Sequence, residues 1–386
     1  MLKKFLLQLK KSLRRMLELL ELAFFMRLQV KGRADEKVIV IQNSHLGDFV
    51  LSVKFFQRLQ KHYQRKLVLL SDCGMKEVAM ASGLFEDFIE LDMKKAASLK
   101  HPFYRWKKLF QLHRTSAAAV IQLFSVGATN LEDCLAAVIS APEKYGMTNG
   151  VFSSSRWGAR YNALRKKLFT CSHEYDKRVS LLGNEKLLAD LICGTCESDP
   201  VGNLDMFEKL PASDMKKYLL LIPGANDPRR RWEPEKFAGL AAKIAVSHQL
   251  DILISGSPTE KEAVEKCCDA LPEDLKEHTF IRQPKADKLS SVKQLMSDVK
   301  HASWVITNDT GPMHIAAKYG VKTFCITGGW HWGVFVPCAE YTNVCFIHKK
   351  MECYGCDSLC KYRTTPFACL GFLTVDDAIK AAAEEL

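Results

Sequence analysis

Short apolar runs alternate with stretches of helical periodicity along most of this chain. The runs are rich in Val, Ile and Leu and are bounded by turn residues, as buried strands are. The predicted strands cover residues 38–42, 67–70, 87–91, 119–123, 218–222, 251–255, 304–307 and 323–327. Such alternation is typical of parallel α/β units, and 386 residues suit two domains better than one. A polar stretch at 197–216 is the predicted linker.

The first 34 residues follow a different pattern. Leu and Phe recur at helical spacing, while nine Lys/Arg and two Glu give this stretch a net charge of +7 out of +11 for the chain. Charges interrupt the apolar residues too often for a transmembrane span. We predict a basic amphipathic helix over 1–34 that binds an anionic membrane surface through residues 1–30. A helix that packs onto the body or mediates oligomerisation is the alternative.

Polar residues gather in loops that follow predicted strands. Asn308 to Gly311 break the strand 304–307 and lead into a helix near Pro312, so several backbone N–H groups and the positive helix end face one point. This arrangement suits an anion. An ordinary strand-to-helix turn, with His314 packed on the helix, is the alternative.

Two further loops have the same strand-loop-helix form. Arg229, Arg230 and Arg231 follow the strand 218–222, and three guanidinium forks suit a diphosphate, although a solvated basic loop is the alternative for any one of them. The loop after the strand 38–42 carries an isolated carboxylate, Asp48, which could also cap a helix starting at Phe49.

The three loops together resemble those of glycosyltransferase family 9, the heptosyltransferases of bacterial lipopolysaccharide core assembly. The matching stretches are Ser44-His45-Leu46-Gly47-Asp48, Pro223-Gly224-Ala225 with Arg230-Arg231-Trp232-Glu233-Pro234, and Asp309-Thr310-Gly311-x-x-His314. They occur in the family's order within about residues 37–345.

The resemblance implies a GT-B fold, in which two Rossmann-like domains with parallel sheets face each other across a cleft. The implied acceptor-binding domain covers residues 35–200, and the nucleotide-sugar-binding domain covers 217–350. A Cys-rich segment and a C-terminal helix make up residues 351–386.

The resemblance also implies roles for the loop residues. Asp48 is the expected general base, and Ser44, His45 and Gly47 form the acceptor-side loop. Glu260, four residues after Gly256, is expected on the nucleotide ribose, although the helix dipole also favours a first-turn Glu. The expected donor-diphosphate residues are Arg230, Arg231, Asp309, Thr310, Gly311 and His314. Arg230 stands where the family has a lysine, so the geometry at the phosphates can differ.

The predicted activity is an inverting, metal-independent transfer of a heptose or related sugar from a nucleotide diphosphate donor to a lipopolysaccharide core acceptor. ADP-heptose is the family's usual donor. Residues 328–333, Gly-Gly-Trp-His-Trp-Gly, replace the glycine-proline-threonine loop of many relatives, so another nucleotide sugar or acceptor stays open. A noncatalytic, membrane-associated metal- or nucleotide-binding protein is the other alternative. Nucleic acid is not an expected partner, because the charge excess sits in one terminal helix.

Fourteen cysteines give the last prediction. No secretory signal precedes the chain, so we expect free thiols and a cytoplasmic protein that is peripheral on the inner face of the bacterial inner membrane. No cofactor is expected for catalysis. Cys353, Cys356, Cys360 and Cys369 lie within 17 residues and could hold a structural zinc or iron.

Overall fold

The computed structural model describes residues 2–28, 36–43, 45–98, 100–123, 130–148, 156–176, 178–195, 204, 207, 210–283, 285, 287–356 and 360–384, with the backbone alone for 2–11 and 156. The chain forms two compact units. Unit 1 comprises Met1–His45, Lys54–Asp176 and Gly183–Asp199, and unit 2 comprises Leu46–Val53, Lys177–Leu182 and Pro200–Leu386.

Unit 1 contains a parallel six-stranded sheet. Its strands are β1 (Val38–Ile41), β2 (Leu67–Asp72), β3 (Phe85–Leu91), β4 (Ala119–Gln122), β5 (Glu143–Thr148) and β6 (Cys171–Glu174). The strand order is β3-β2-β1-β4-β5-β6. The central strands are buried on both faces, which is why β1 reads as an unbroken apolar run and does not alternate.

Nine helices are described in the first half of the chain, and one of them, α2, belongs to unit 2. They are α1 (Leu2–Arg27), α2 (Leu46–Leu51), α3 (Val53–Tyr63), α4 (Lys76–Ala81), α5 (Met93–Ala97), α6 (Pro102–Leu112), α7 (Leu131–Val138), α8 (Arg156–Leu168) and α9 (Leu181–Cys193). The predicted N-terminal helix is present as α1, and it packs against α7 and α8 with Leu22 and Phe25 fully buried. Its second half therefore belongs to the body of unit 1. Among the described residues, no helix combines the length and apolarity needed to cross a bilayer.

Unit 2 repeats the topology of unit 1. Its strands are β7 (Tyr218–Ile222), β8 (Asp251–Ile254), β9 (Thr279–Ile281), β10 (Trp304–Asn308), β11 (Thr323–Ile326) and β12 (Val344–Ile347). The order β12-β11-β10-β7-β8-β9 is again parallel throughout. The chain direction across the sheet reverses between β7 and β10, the position where open α/β sheets bind ligands.

The helices of unit 2 include the C-terminal helix that the sequence predicts. They are α10 (Pro234–His248), α11 (Lys261–Asp269), α12 (Glu273–Lys276), α13 (Lys288–His301), α14 (Gly311–Lys318), α15 (Ala368–Gly371) and α16 (Val375–Ala383). A capping box between Thr374 and Asp377 starts α16, which packs against α10 and β12.

The predicted α/β fold with two parallel sheets is confirmed. All eight predicted strands are present within two residues of their predicted ends. The prediction missed β5, β6, β9 and β12. The strands β6, β9 and β12 are edge strands of three or four residues, and β5 is longer but includes Glu143, Lys144 and Thr148. The helix expected from Phe49 starts earlier, at Leu46, which puts Asp48 in its first turn.

Candidate functional site

The two central strands of unit 2 deliver two of the predicted loops to one place. β7 and β10 are hydrogen-bonded neighbours, with Ile222 opposite Thr307 at their carboxyl ends. The arginine loop leaves β7 and the Asp309 turn leaves β10 directly beyond this pair. The loops are far apart in sequence, and sheet register makes them neighbours.

Asn308, the last residue of β10, joins these two loops. Its buried carboxamide accepts a hydrogen bond from the Trp232 N–H at 3.1 Å. It also donates to the carbonyls of Pro223 at 2.8 Å and Gly224 at 3.1 Å. Asn308 was predicted as part of the strand break but was given no role of its own; the available signal was an amide residue at the end of a largely apolar strand. Its role is to fix the Pro-Gly-Ala strand end and the arginine loop against β10.

Arg230 lies against Asp309 and Trp330. Its Nη2 donates to the Asp309 carbonyl and lies 3.3 Å from Asp309 Oδ2, and its guanidinium lies 5.4 Å from the Trp330 ring centre. Trp330 Nε1 donates to the same Oδ2 at 3.1 Å. Since Asp309 is only 2% exposed, its carboxylate faces these two partners. A carboxylate repels a diphosphate, so the side chain of Asp309 serves to orient Arg230.

The neighbouring arginines are held by other groups. Arg229 forms a two-point ion pair with Asp227, at 2.6 Å between Nη2 and Oδ2, and stacks on Phe367. Hydrogen bonding to Arg229 lowers the pKa of the Asp227 carboxyl. Arg231 Nε donates to the Ala225 carbonyl at 2.7 Å. Of the three guanidinium groups, that of Arg230 is therefore the one bound to the Asp309 turn.

The turn after β10 has the features of an anion site. Thr310 is extended (φ −148°, ψ 176°) and precedes α14, with its Oγ1 donating to the Asn308 carbonyl at 3.2 Å. Among the described residues, the amide N–H groups of Thr310 and Gly311 have no acceptor. Free N–H groups at a helix start favour a negatively charged ligand.

Two glycines bring Asp48 to this turn. A Cβ on Gly47 would lie 3.1 Å from the Cα of Gly311, and a Cβ on Gly311 would lie 3.3 Å from the nitrogen of Gly47. Both contacts are tighter than most Cβ contacts, so a side chain at either position would push α2 and the start of α14 apart by a few tenths of an ångström. Asp48 is half-buried next to this contact. His45 is exposed, and Ser44 lies outside the described residues.

His314 packs beneath the same contact. It is buried, its Nδ1 lies 3.2 Å from the Tyr341 hydroxyl, and its Cδ2 faces Gly47. Burial lowers the pKa of His314 to about 4, so the imidazole is neutral near pH 7. A neutral imidazole supplies no net positive charge to a phosphate, and its evident contribution is packing of the glycine contact.

Glu260 lies at the end of β7, close to Gly224. Its Oε2 accepts from the Ser257 N–H at 2.8 Å and Oγ at 2.7 Å, which forms a capping box. A Cβ on Gly224 would come within 2.5 Å of Glu260 Oε1, so this glycine leaves room for the carboxylate. Gly256 has a packing role too, since its Cβ would collide with Val264 at 2.8 Å. Oε2 is thus engaged in the capping box, and Oε1 lies near Gly224 at the strand end.

The two tryptophans of the 328–333 loop differ in environment. Trp330 is 1% exposed, packs on Phe367 and binds Asp309, so it belongs to the framework of the site. Trp332 is half-buried and lies 4.3 Å from His348 and 5.1 Å from Tyr354, measured between ring centres. This aromatic group stands beyond the carboxyl ends of β11 and β12, on the ligand side of the sheet.

The four cysteines of the predicted metal site are free thiols. Burial raises the pKa of Cys369, and electrostatic interactions with Cys356 and Cys353 raise it further. Within the part of the chain that the structure describes, no three Cys, His, Asp or Glu side chains are grouped closely enough to hold a metal ion. The segment 357–359, between Cys356 and Cys360, lies outside it.

Comparisons with known proteins give the family of this chain. The model of glycosyltransferase family 9 (heptosyltransferase) matches residues 148–358, more than half of the chain. Lipooligosaccharide heptosyltransferase 2 of Campylobacter jejuni is 33% identical over 142 residues, which cover 36% of this chain and 42% of that protein. The chain thus matches less than half the length of the curated relatives it resembles.

Solved structures extend the likeness over the whole fold. A family 9 glycosyltransferase from Veillonella parvula superposes with a TM-score of 0.68 at 18% identity, covering 90% of this chain and 96% of its own. An Escherichia coli heptosyltransferase solved with ADP-2-deoxy-2-fluoro heptose gives 0.64 at 15% identity, covering 90% and 99%. At these identities the likeness shows the fold alone.

Proposed function

The chain belongs to glycosyltransferase family 9 (heptosyltransferase), and from this premise we propose that it transfers a heptose or related sugar from a nucleotide diphosphate donor to a lipopolysaccharide core acceptor. ADP-heptose is the donor we propose. The observation that supports the proposal is the contact of Gly47 with Gly311, because it brings the residue beside Asp48 to the start of α14.

On the donor side, the diphosphate binds at the turn after β10. Its oxygens accept from the N–H groups of Thr310 and Gly311 and from the guanidinium of Arg230. Arg230 Nε supports this, since it is buried and has no hydrogen-bond partner among the described residues. As the sugar leaves, negative charge grows on the diphosphate, and a pre-oriented guanidinium and helix N-terminus stabilise it. These groups supply the positive charge without a metal ion.

On the acceptor side, Asp48 takes the proton. The acceptor hydroxyl attacks the anomeric carbon, its O–H proton passes to the Asp48 carboxylate, and the bond from the anomeric carbon to the diphosphate oxygen breaks with its electron pair on the diphosphate. A single displacement of this kind inverts the anomeric centre. His45 and Gly47 shape the start of α2, from which Asp48 acts.

The nucleoside lies over the ends of β7 and β8. We assign the ribose hydroxyls to Glu260 Oε1, which faces Gly224, while Oε2 stays in the capping box. Carboxylates bind ribose hydroxyls in the same way in dinucleotide folds. The aromatic group of Trp332, His348 and Tyr354 follows β11 and β12 and offers ring faces on which a base or sugar could stack. A donor other than ADP-heptose is therefore the variant of this proposal.

Location and metal content complete the proposal. We propose a cytoplasmic enzyme that residues 1–30 hold on the anionic inner face of the inner membrane, where a lipid-linked acceptor is made. The net charge of +7 over residues 1–34 supports this. A structural zinc or iron on Cys353, Cys356, Cys360 and Cys369 remains part of the proposal, on the strength of thiol number and spacing. Such an ion would not take part in transfer.

The test is the Asp48→Asn substitution. We expect donor binding to persist, seen as an unchanged rise of melting temperature with ADP-heptose, while turnover falls by about 10²–10⁴-fold, as for loss of a general base. Asp274→Asn, an exposed carboxylate in α12, is the matched control and keeps full activity. Equal turnover of the Asp48→Asn and wild-type proteins would refute the assignment. Nucleotide binding with no turnover of any donor by wild type would favour the noncatalytic alternative.

A further inference from the structure

Unit 1 carries a continuous apolar surface built from α1 and α6. Seven large apolar side chains on these helices are between 40% and 90% exposed. They are Leu13, Leu17, Leu20 and Phe24 on α1, and Phe103, Trp106 and Phe110 on α6. Spacings of three and four residues put each set on one helix face. We call these seven residues the α1/α6 surface.

Aromatic contacts join the two halves of this surface. Phe24 stacks on Trp106 with ring centres 5.6 Å apart and meets the edge of Phe110 at 6.3 Å. The two helices are also tied by an ion pair, in which Arg105 donates to both carboxylate oxygens of Glu21 at 2.6 and 2.7 Å. The surface is therefore preformed, because the opposite face of each helix is fixed in the core by Phe25 and Leu109.

The surface has a strongly positive border. Residues 93–114 contain seven Lys/Arg and no Asp or Glu, which adds +7 to the +7 of residues 1–34. The chain as a whole is +11, so its other 330 residues sum to −3 (11 minus 14). The acidic residues of α1, Glu18 and Glu21, are both turned inward in ion pairs with arginines.

Charge decides which occupant fits this surface. Among the described residues, 12–28 and 93–114 carry ten Lys/Arg and two Glu, so a second copy would bring +8 against +8, and like charges at one interface oppose association. A nucleic acid would match the charge, but its phosphate backbone would not bury seven exposed Leu, Phe and Trp side chains. An anionic bilayer matches both features, since Phe, Trp and Leu enter the interface while Lys and Arg meet lipid phosphates.

We propose that the α1/α6 surface docks on an anionic bilayer, with Phe103, Trp106 and Phe110 of α6 inserted beside the apolar face of α1. Membrane binding is then a property of folded unit 1 and extends beyond residues 1–30. The purpose of the contact rests on the proposed function, in which the acceptor is lipid-linked. The physical basis of the contact, apolar exposure within a basic border, stands independently of the transfer reaction.

Vesicle flotation of the full chain tests this. We expect binding to vesicles of phosphatidylcholine with phosphatidylglycerol, little binding to pure phosphatidylcholine, and loss of binding as salt rises. The double variant Phe103→Ser/Trp106→Ser should bind the anionic vesicles about tenfold or more weakly, because two of the inserted rings are removed. Both positions are exposed, so the fold should persist, as circular dichroism would check.

The control is a double variant at two exposed apolar residues of unit 2, Val246→Ser/Phe280→Ser, which should bind like wild type. Wild-type-like binding by the α6 double variant would overturn the proposal. The proposal would also be overturned if wild type bound neither kind of vesicle and instead formed a dimer that the double variant does not form. The surface would then join two copies of the chain. Equal loss of binding in control and test variants would overturn it as well.

Turnover separates this proposal from the proposed function. With a delipidated, water-soluble core oligosaccharide as acceptor and no vesicles, the α6 double variant should match the wild-type rate. On vesicles that carry the intact lipid-linked acceptor, the same variant should be slower by about the factor lost in flotation. If wild type floats with the vesicles but transfers sugar to neither acceptor, the proposed function fails while the docking surface stands.

Discussion

Asn308 and Gln122 are buried carboxamides at the same point of two sheets with the same topology. Asn308 ends β10, and Gln122 ends β4, the strand beside the reversal of chain direction in unit 1. Asn308 makes three hydrogen bonds that hold two loops of unit 2. Gln122 Oε1 has no partner among the described residues. The comparison teaches that the fold supplies equivalent positions, whereas the residues placed there decide whether a rigid ionic site forms.

The largest effect should come from the cation that Asn308 helps to position. Arg230→Ala removes the guanidinium from the anion site, and kcat/KM should fall by about 10²–10³-fold, the usual cost of one lost electrostatic partner of a leaving group. Arg229→Ala is the matched control, because its ion pair with Asp227 lies on the exposed side of the loop. Steady-state kinetics with the donor measures kcat/KM for both variants. Equal losses of kcat/KM would show that the loop acts only through its total charge.

Asn308→Ala should reduce the free energy of unfolding by about 3 kcal/mol, because it leaves two buried carbonyls and one N–H without their partner. Chemical denaturation measures this change. Hydrogen exchange at Trp232 should rise in the same variant, since the Asn308 carboxamide accepts from that N–H. A loss below about 1 kcal/mol would mean that water replaces the carboxamide.

Acidification should weaken unit 2 through His314. Burial lowers its pKa from 6.5 to about 4, so the unfolded chain binds a proton in the window between these values and the folded chain does not. The contribution of His314 to the free energy of unfolding is fully present above pH 6.5. It falls by about 2–3 kcal/mol as the pH drops towards 4. Denaturation of wild type and His314→Gln at pH 7 and 4.5 measures it. The variant should lack this part of the pH dependence.

Gln122→Leu should have the smallest effect and the opposite sign to Asn308→Ala. Removing an unpaired buried oxygen leaves stability unchanged or raises it by up to about 1 kcal/mol. Denaturation at pH 7 compares the two variants directly. A destabilisation as large as that of Asn308→Ala would show that Gln122 holds unit 1 together in the same way, and the contrast between the units would fail.

Most of the fold and part of the candidate site could be predicted from the sequence. Seven of the eight predicted strands are apolar runs inside a sheet, and the eighth, β3, is an edge strand of mixed sequence. The missed strand β6, Cys171–Glu174, has no apolar signal beyond its cysteine. The Asp309 turn, the arginine loop and Asp48 were recognised from short motifs. The contacts of each residue were not predicted. The motif counts Asp309 with the diphosphate residues, but its carboxylate is bound to Arg230 and Trp330.

The α1 helix shows the same limit. Its periodicity and charge predicted an amphipathic helix, and the structure has one over Leu2–Arg27. The sequence did not show which apolar residues of α1 are exposed, because Leu20 and Leu22 are the same residue type in the same helix. Packing on α7 and α8 buries Leu22 and leaves Leu20 57% exposed. Contacts between distant segments made that choice.

The sequence by itself determined the two α/β units, the basic amphipathic start and the family to which the chain belongs. These depend on local periodicity, net charge and short motifs, all of which are written within a few neighbouring residues. Tertiary structure alone decided that Gly47 meets Gly311, that Asn308 joins two loops, and that α6 completes an apolar surface with α1. Each of these pairs residues distant along the chain, and only sheet register and helix packing bring such residues together.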